Sequence, residues 1–313
     1  MTEASPSVRR ALAGCLRGAC CGALLAAAPA ASAAQAGVLV LAHGGSEHWN
    51  TVVEQTVEQA DLAFPTRIAF GMGMTAQEVT ELQQAVDDLQ QAGVDQIVAV
   101  PLFVSSTSEV MDQLRYLLGL RAHGPWEAAV HPVALRVPVV MTDALDDDPV
   151  VADILLDRIR ELSHAPEAEE VVVVAHGPAN AEDDARWLDV MTRIAARIRQ
   201  EGGFHAVLPV TMQDDAPPPV REAAIQKMRG IVQQSSREHR TLVVPLLIAS
   251  GGIEAKIPQA LEGLEFAYSG AALLPHPKLA AWIARQVRTA LGVMARLPQW
   301  RVLDTCDKMS NIS

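Results

Sequence analysis

The sequence predicts an α/β fold with two similar domains, each a parallel β-sheet flanked by helices. Short apolar runs alternate with segments of helical pattern, which is typical of βαβ units. The apolar runs also come in two matching sets, and several are apolar throughout, as in the buried middle of a parallel sheet. The chain has 313 residues, 50% hydrophobic and 20% charged, a length and composition that allow about two soluble domains.

The two sets of runs indicate an internal duplication. The matching pairs, in chain order, are Val38–Gly44 with Val171–Gly177, Gln96–Ser105 with Thr241–Ala249, and the Pro149 segment with the Pro277 segment. The offsets, taken at His43/His176, Pro101/Pro245 and the two helix prolines, are 133, 144 and 128 residues. A period of this size favours two α/β domains over a solenoid, whose repeat is about 20 to 50 residues.

Each half predicts the same order of elements: strand, helix, strand, helix, strand, loop and helix, with one more strand before the closing helix. In the first half, Thr75 followed by Glu78 is a capping box that begins the second helix. In the second half, the prolines at 217–219 begin the corresponding helix.

The polar stretch at 163–170 marks the predicted boundary between the domains. We therefore assign residues 34–165 to an N-terminal domain and residues 166–295 to a C-terminal domain. Residues 296–313 form a C-terminal tail.

The N-terminus predicts a secretory signal peptide over residues 1–33. Three arginines precede the small apolar run at 18–28, and Ala31-Ser32-Ala33 provides small residues for cleavage. The run is about 11 residues, shorter than the roughly 20 of a membrane-spanning helix. An alanine-rich first helix is the alternative. On the signal-peptide interpretation the protein is exported to the periplasm and does not span the membrane.

Charge and cysteine content exclude several classes of function. The net charge is −12, and loss of residues 1–33 removes three arginines and Glu3, leaving 22 basic and 36 acidic residues, or −14. An acidic chain lacks the basic surface that nucleic acid requires. Only Cys306 remains beyond the predicted signal peptide, which excludes an intrachain disulfide and a thiolate metal cluster.

His43 and His176 are the candidate functional histidines. Each ends an apolar strand and is followed by glycine, and ligands bind such sheets at the carboxyl ends of their strands. An imidazole presented there suits a metal ligand or a general base. The alternative is a structural histidine that caps the next helix.

Glu109 and Glu254 are the candidate acidic partners, because each follows the strand that contains Pro101 or Pro245. A histidine and a carboxylate from different strands can meet at one edge and form a weak, open site for a divalent metal. The alternative is a pair of exposed glutamates favoured by the helix dipole.

Three other motifs are absent from the sequence. The chain has no Gly-x-Ser-x-Gly elbow of an esterase. It has alanine, not arginine, before each strand-end histidine, which argues against a histidine phosphatase. No Gly-x-Gly-x-x-Gly follows the first strand, as dinucleotide binding requires.

Taken together, the motifs resemble the class II chelatase family, the CbiX-type sirohydrochlorin cobalt- and iron-chelatases. The resemblance covers about residues 37–290, and the segments that carry it are Ala42-His43-Gly44, Val100–Ser105, Gly251–Pro258 and Pro275-His276-Pro277. It implies two chelatase-like domains and insertion of a divalent metal, Co²⁺, Fe²⁺ or Ni²⁺, into a tetrapyrrole. It implies no organic cofactor.

The resemblance also implies roles for the candidate residues. His43 would hold the metal or accept a pyrrole proton, and Glu109, eight residues after Pro101, stands where family members usually carry a second histidine. Eight residues after Pro245 is Ile253, with Glu254 next, so this spacing favours the first half over His176 and Glu254. Arg67, Arg115 and Lys256 are cations available to substrate carboxylates. An exported, non-catalytic metal- or tetrapyrrole-binding protein is the alternative function.

Overall fold

Two parallel four-stranded β-sheets, one from each half of the sequence, confirm the predicted fold class. The computed structural model describes residues 35–72, 75–125 and 129–296. The predicted signal peptide and nearly all of the predicted tail lie outside these residues. The first half comprises β1 (Ala36–Ala42), α1 (Glu47–Gln59), β2 (Thr66–Phe70), α2 (Ala76–Gln91), β3 (Gln96–Leu102), α3 (Glu109–Leu117), β4 (Val139–Met141) and α4 (Pro149–Arg160).

The second half repeats this order of elements. It comprises β5 (Glu169–Ala175), α5 (Ala181–Gly202), β6 (Ala206–Thr211), α6 (Pro218–Glu238), β7 (Arg240–Leu246), α7 (Ile253–Ala260), β8 (Ala267–Tyr268) and α8 (Pro277–Met294). A short 3-10 helix at Pro166–Ala168 precedes β5. The predicted capping box of Thr75 and Glu78 is present at the start of α2, and Pro217 is the N-cap of α6.

The strand orders are β2-β1-β3-β4 and β6-β5-β7-β8, and every neighbouring pair is parallel. The two strands that precede the candidate histidines, β1 and β5, are therefore interior strands. We call the edge where the strands of a sheet end its carboxyl edge and the opposite edge its amino edge. Both strand-end histidines lie at carboxyl edges, as predicted.

Alternate residues of the interior strands face two different cores. In β1, Val38 and Val40 belong to a core to which both halves contribute, whereas Leu39 belongs to a core of the first half alone. In β5, Val171 belongs to the shared core and Val172 to a core of the second half. Both faces of each sheet are thus buried, which explains why these strands read as continuous apolar runs.

The closing helix of each half packs against the sheet of the other half. Helix α4 contacts β7 and α5, while α8 contacts β3, β4 and α1. The two helices are also bonded to each other through Asp148, the N-cap of α4, which accepts hydrogen bonds from Trp282 Nε1 at 3.2 Å and from Arg285 Nη2 at 2.6 Å. Further along, Lys278 Nζ lies 2.5 Å from Asp157 Oδ2. This exchange joins the halves into one folding unit.

Among the described residues, no helix is both long enough and apolar enough to cross a membrane.

Candidate metal centre

His43 and His176 have the same local geometry at the two carboxyl edges. Nδ1 of His43 lies 2.7 Å from the carbonyl oxygen of Gly44, and Nδ1 of His176 lies 2.8 Å from that of Gly177. A carbonyl oxygen only accepts, so Nδ1 carries the proton in each neutral ring. The lone pair is then on Nε2, which is free to bind a metal or a proton.

The structure gives His176 two acidic neighbours that the sequence did not indicate. Asp214 and Asp215 lie in the loop after β6, and one ligand atom from each of the three residues lies within 4.8 Å of the others. His176 Nε2 is 3.4 Å from Asp215 Oδ2. One imidazole and two carboxylates form an open set of three ligands, which suits a divalent ion that must be released again.

The loops after β5 and β6 are held together at this cluster. Gln213, directly before the two aspartates, is buried, and its Nε2 donates to the carbonyl oxygen of Pro178 at 3.1 Å. Its backbone has a φ of +47°, a conformation that non-glycine residues adopt rarely and mostly where neighbouring structure holds them. The conformation of Gln213 therefore fixes Asp214 next to His176.

Lys256 already neutralises one carboxylate of the cluster. Its Nζ lies 2.5 Å from Asp214 Oδ2, and the Asp214 side chain is only 12% exposed. Asp215, by contrast, is 76% exposed. The ammonium group of Lys256 competes with a metal ion for the Asp214 carboxylate, which lowers the net affinity for the ion.

Glu254, on the same helix as Lys256, is occupied by its own backbone. Its Oε2 accepts hydrogen bonds from the amides of Gly251 and Gly252 at 3.0 and 2.9 Å. The hydroxyl of Tyr268 donates to the Glu254 carbonyl oxygen, and burial together with the nearby Glu254 carboxylate raises the pKa of Tyr268. Within the described chain, no hydrogen bond or ion pair joins Glu254 to His176.

In the first half, Glu109 is an exposed residue in the first turn of α3, and no hydrogen bond or ion pair between described residues joins it to His43. Glu109 lines a cavity of about 520 Å³. The cavity lies between the loop after β3 and the start of α5, and its lining includes Arg115, Arg121 and Arg186. Arg115 thus lies beside Glu109, whereas the other predicted cation of the first half, Arg67, pairs with Asp88.

The loop after β2 distinguishes the two halves. Strand pairing aligns Ala42 with Phe70 and Ala175 with Thr211, so Asp214 and Asp215 correspond in sequence to Gly73 and Met74. Those two residues lie outside the described chain. Phe70 packs against Trp49 with ring centroids 6.4 Å apart. From the sequence, Asp214 and Asp215 could have been recognised only by comparing the loop after β6 with the loop after β2.

We expect Gly177→Ala, next to His176, to lower the unfolding free energy by more than the cost of a positive φ at alanine. Gly177 has φ +74°, and an added Cβ would lie 2.6 Å from Cβ of Thr211, a buried residue that is hydrogen-bonded to Asp184. Gly203→Ala is the matched control, because Gly203 has φ +72° and open space around it. The control should lose about 1 kcal/mol of unfolding free energy and Gly177→Ala about 3 kcal/mol, measured by urea denaturation. Equal losses would contradict the tight packing of the His176 loop.

A sequence model of the CbiX family matches residues 37–162 and again residues 170–290. The chain belongs to the CbiX family. The two matched segments correspond to the two halves seen in the fold, so the duplication is a duplication of the CbiX unit.

Individual relatives agree with the CbiX assignment. A sirohydrochlorin cobaltochelatase from Methanosarcina barkeri is 22% identical over 125 residues, which cover 40% of this chain and 95% of that protein. Among solved structures, SirB from Bacillus subtilis with Fe³⁺ is similar with a TM-score of 0.62 and 17% identity, over 84% of this chain and 98% of SirB. The structure of CbiX described as the terminal enzyme of siroheme biosynthesis in denitrifying bacteria matches with a TM-score of 0.54 and 17% identity, over 81% and 99% of the two chains. These structures confirm the predicted chelatase-like fold.

Proposed function

We propose that this protein inserts a divalent metal ion, Co²⁺ or Fe²⁺, into a sirohydrochlorin-type tetrapyrrole. The observation that carries the proposal is the convergence of His176, Asp214 and Asp215 at a carboxyl edge of a CbiX-family fold. The names of the similar proteins give the substrate class, since they include a sirohydrochlorin cobaltochelatase and a SirB structure with iron.

We place the working site in the second half. Sequence spacing favours His43 with Glu109, but no hydrogen bond or ion pair between described residues joins these two. His176 Nε2, by contrast, lies 3.4 Å from Asp215 Oδ2, and Asp214 belongs to the same cluster. The three ligands would hold the incoming ion weakly enough to release it to the macrocycle. Nickel remains a third candidate ion, because one imidazole and two carboxylates discriminate little among these metals.

Metallation replaces two pyrrole N–H protons by the ion, so the site must also accept protons. His176 Nε2 has a free lone pair in the neutral ring, and Asp215 is exposed enough to pass a proton to solvent. Both groups therefore become proton acceptors once the ion leaves them. In the same step the Lys256 ammonium can return to Asp214 and restore the charge balance of the empty cluster.

The cavity with Arg115, Arg121 and Arg186 is the proposed contact for the carboxylate side chains of the tetrapyrrole. Guanidinium groups bind carboxylates in a bidentate manner. Asp183 and Arg186 of the cavity lie on α5, the helix that follows the His176 loop. A macrocycle held there would lie beside the carboxyl edges of the two sheets.

A non-catalytic binding protein is the second candidate, favoured by the charges of the cavity. Arg115 and Arg121 both pair with Asp112, and Arg186 pairs with Glu182, so these cations are already neutralised in part. Export to the periplasm, proposed from the N-terminal sequence, also favours a carrier.

Turnover distinguishes the two functions. Purified protein is mixed with a tenfold excess of sirohydrochlorin and Co²⁺, and the absorbance of the tetrapyrrole is followed over time. We expect metallated product well beyond one equivalent per chain, above the rate without protein. A spectral change that stops at one equivalent would contradict the enzyme and indicate a carrier.

A further inference from the structure

Three metal-ligating side chains also meet at the opposite, amino edge of the second sheet. Glu170 lies at the start of β5, while His205 directly precedes β6 and His239 directly precedes β7. Because β5 lies between β6 and β7, these residues come together although more than 30 positions separate each from the next along the chain. One ligand atom from each lies within 4.8 Å of the others.

The two imidazoles present the same nitrogen to the carboxylate. The rings of His205 and His239 are stacked with centroids 3.9 Å apart. Their Nε2 atoms lie 3.8 and 3.7 Å from Glu170 Oε1. These distances are too long for hydrogen bonds. Two atoms bound to one ion at about 2.1 Å lie about 3.4 Å apart at the tetrahedral angle, so both nitrogen–oxygen distances are within about 0.4 Å of that separation. Binding of an ion would also require the stacked rings to rotate until both Nε2 lone pairs point at it.

Glu170 differs from its neighbour Glu169 because the Glu170 carboxylate accepts no hydrogen bond from another described residue. Glu169 is buried and accepts hydrogen bonds from Ser163 and Arg240, both at 2.5 Å, and from the His164 amide at 3.0 Å. Among the described residues, the Glu170 carboxylate accepts no hydrogen bond, and its ion-pair partners are the two imidazoles. The adjacent carboxylates therefore have different roles: Glu169 stabilises the start of β5, and Glu170 is available to an ion.

We propose that Glu170, His205 and His239 bind one divalent transition-metal ion. Two imidazoles and one carboxylate suit Zn²⁺, Co²⁺ or Ni²⁺, whereas Mg²⁺ and Ca²⁺ prefer oxygen ligands alone. The ion can enter from solvent, because the His205 side chain is 49% exposed. This site lies at the other edge of the sheet from His176 and does not depend on the proposed chelatase activity.

The test uses the full chain carrying His176→Ala, which removes the histidine ligand of the carboxyl-edge cluster. Binding of ZnCl₂ is measured by isothermal titration calorimetry, and binding of CoCl₂ by its visible absorption. We expect one ion per chain, with a cobalt spectrum that shows nitrogen ligation. Adding Glu170→Gln or His239→Asn should weaken binding at least tenfold. His164→Asn is the matched control, because this exposed histidine lies near Glu169 at the same edge but outside the cluster.

No uptake by the His176→Ala protein would overturn the proposal, as would uptake that Glu170→Gln and His239→Asn both leave unchanged. Circular dichroism checks that each variant is folded. Should His239→Asn fail to fold, Glu170→Gln and the cobalt spectrum of the His176→Ala protein decide the question. If the unsubstituted protein shows no turnover while the His176→Ala protein still binds this ion, the chelatase proposal alone is contradicted.

Discussion

Replacing His176 by alanine is expected to lower the rate of cobalt insertion at least 100-fold. The substitution removes the only nitrogen ligand of the cluster with Asp214 and Asp215, and with it the group best placed to accept a pyrrole proton. Loss of one positioned base or ligand commonly costs a factor of about 10² to 10⁴. The measurement is the initial rate of sirohydrochlorin metallation at saturating metal.

His43→Ala tests the alternative site in the first half, because sequence spacing favours that histidine. We expect it to lose far less activity than His176→Ala. His164→Ala is the neutral control, since His164 is exposed and lies before β5 at the amino edge of the second sheet. A large loss in His43→Ala together with an active His176→Ala protein would move the site to the first half.

Replacing Trp282 by alanine is expected to lower the unfolding free energy by about 3 to 5 kcal/mol, the usual cost of truncating a large buried aromatic residue. Trp282 is fully buried in the core shared by both halves, and its indole nitrogen donates to Asp148 at the start of α4. The substitution therefore opens a cavity and removes a bond between the two exchanged helices. Urea denaturation at neutral pH measures the loss.

Val293→Ala is the matched control on the same helix, because the Val293 side chain is 50% exposed. It should change stability by less than about 0.5 kcal/mol. Trp282→Phe keeps a six-membered aromatic ring but loses the indole donor and part of the buried volume, so we expect an intermediate cost. A loss below about 1 kcal/mol in Trp282→Ala would contradict the central place of this side chain in the shared core.

Much of the fold could be predicted from the sequence because the signals were local. Apolar runs, the Thr75 capping box and the helix-opening prolines each depend on a few adjacent residues. The exchange of α4 and α8 could not be predicted in this way. Periodicity shows which face of a helix is buried, but it does not show which sheet buries that face.

The candidate metal centre was predicted only in part, because only some of its residues have a local sequence signal. The strand-end histidines are visible as a repeated motif, but Asp214 and Asp215 become neighbours of His176 only through the pairing of β5 with β6. The amino-edge cluster is a second example, since Glu170 and His239 meet only because β7 lies beside β5. Glu254 illustrates the reverse case: its position suggested a ligand, but its carboxylate accepts hydrogen bonds from the two amides directly before its own helix.

The exchanged helices bear on how a duplicated gene came to encode one molecule. The relative from Methanosarcina barkeri is matched over 95% of its length by 125 residues, and is therefore about the size of one half. In a chain of that size with this fold, the closing helix would have no second sheet to pack against. A second copy could provide that sheet, and its own closing helix would pack against the sheet of the first copy. Fusion of two such chains end to end would make this reciprocal pairing intramolecular. Each half of the fused chain could then change separately, which agrees with the different sequences after β2 and β6.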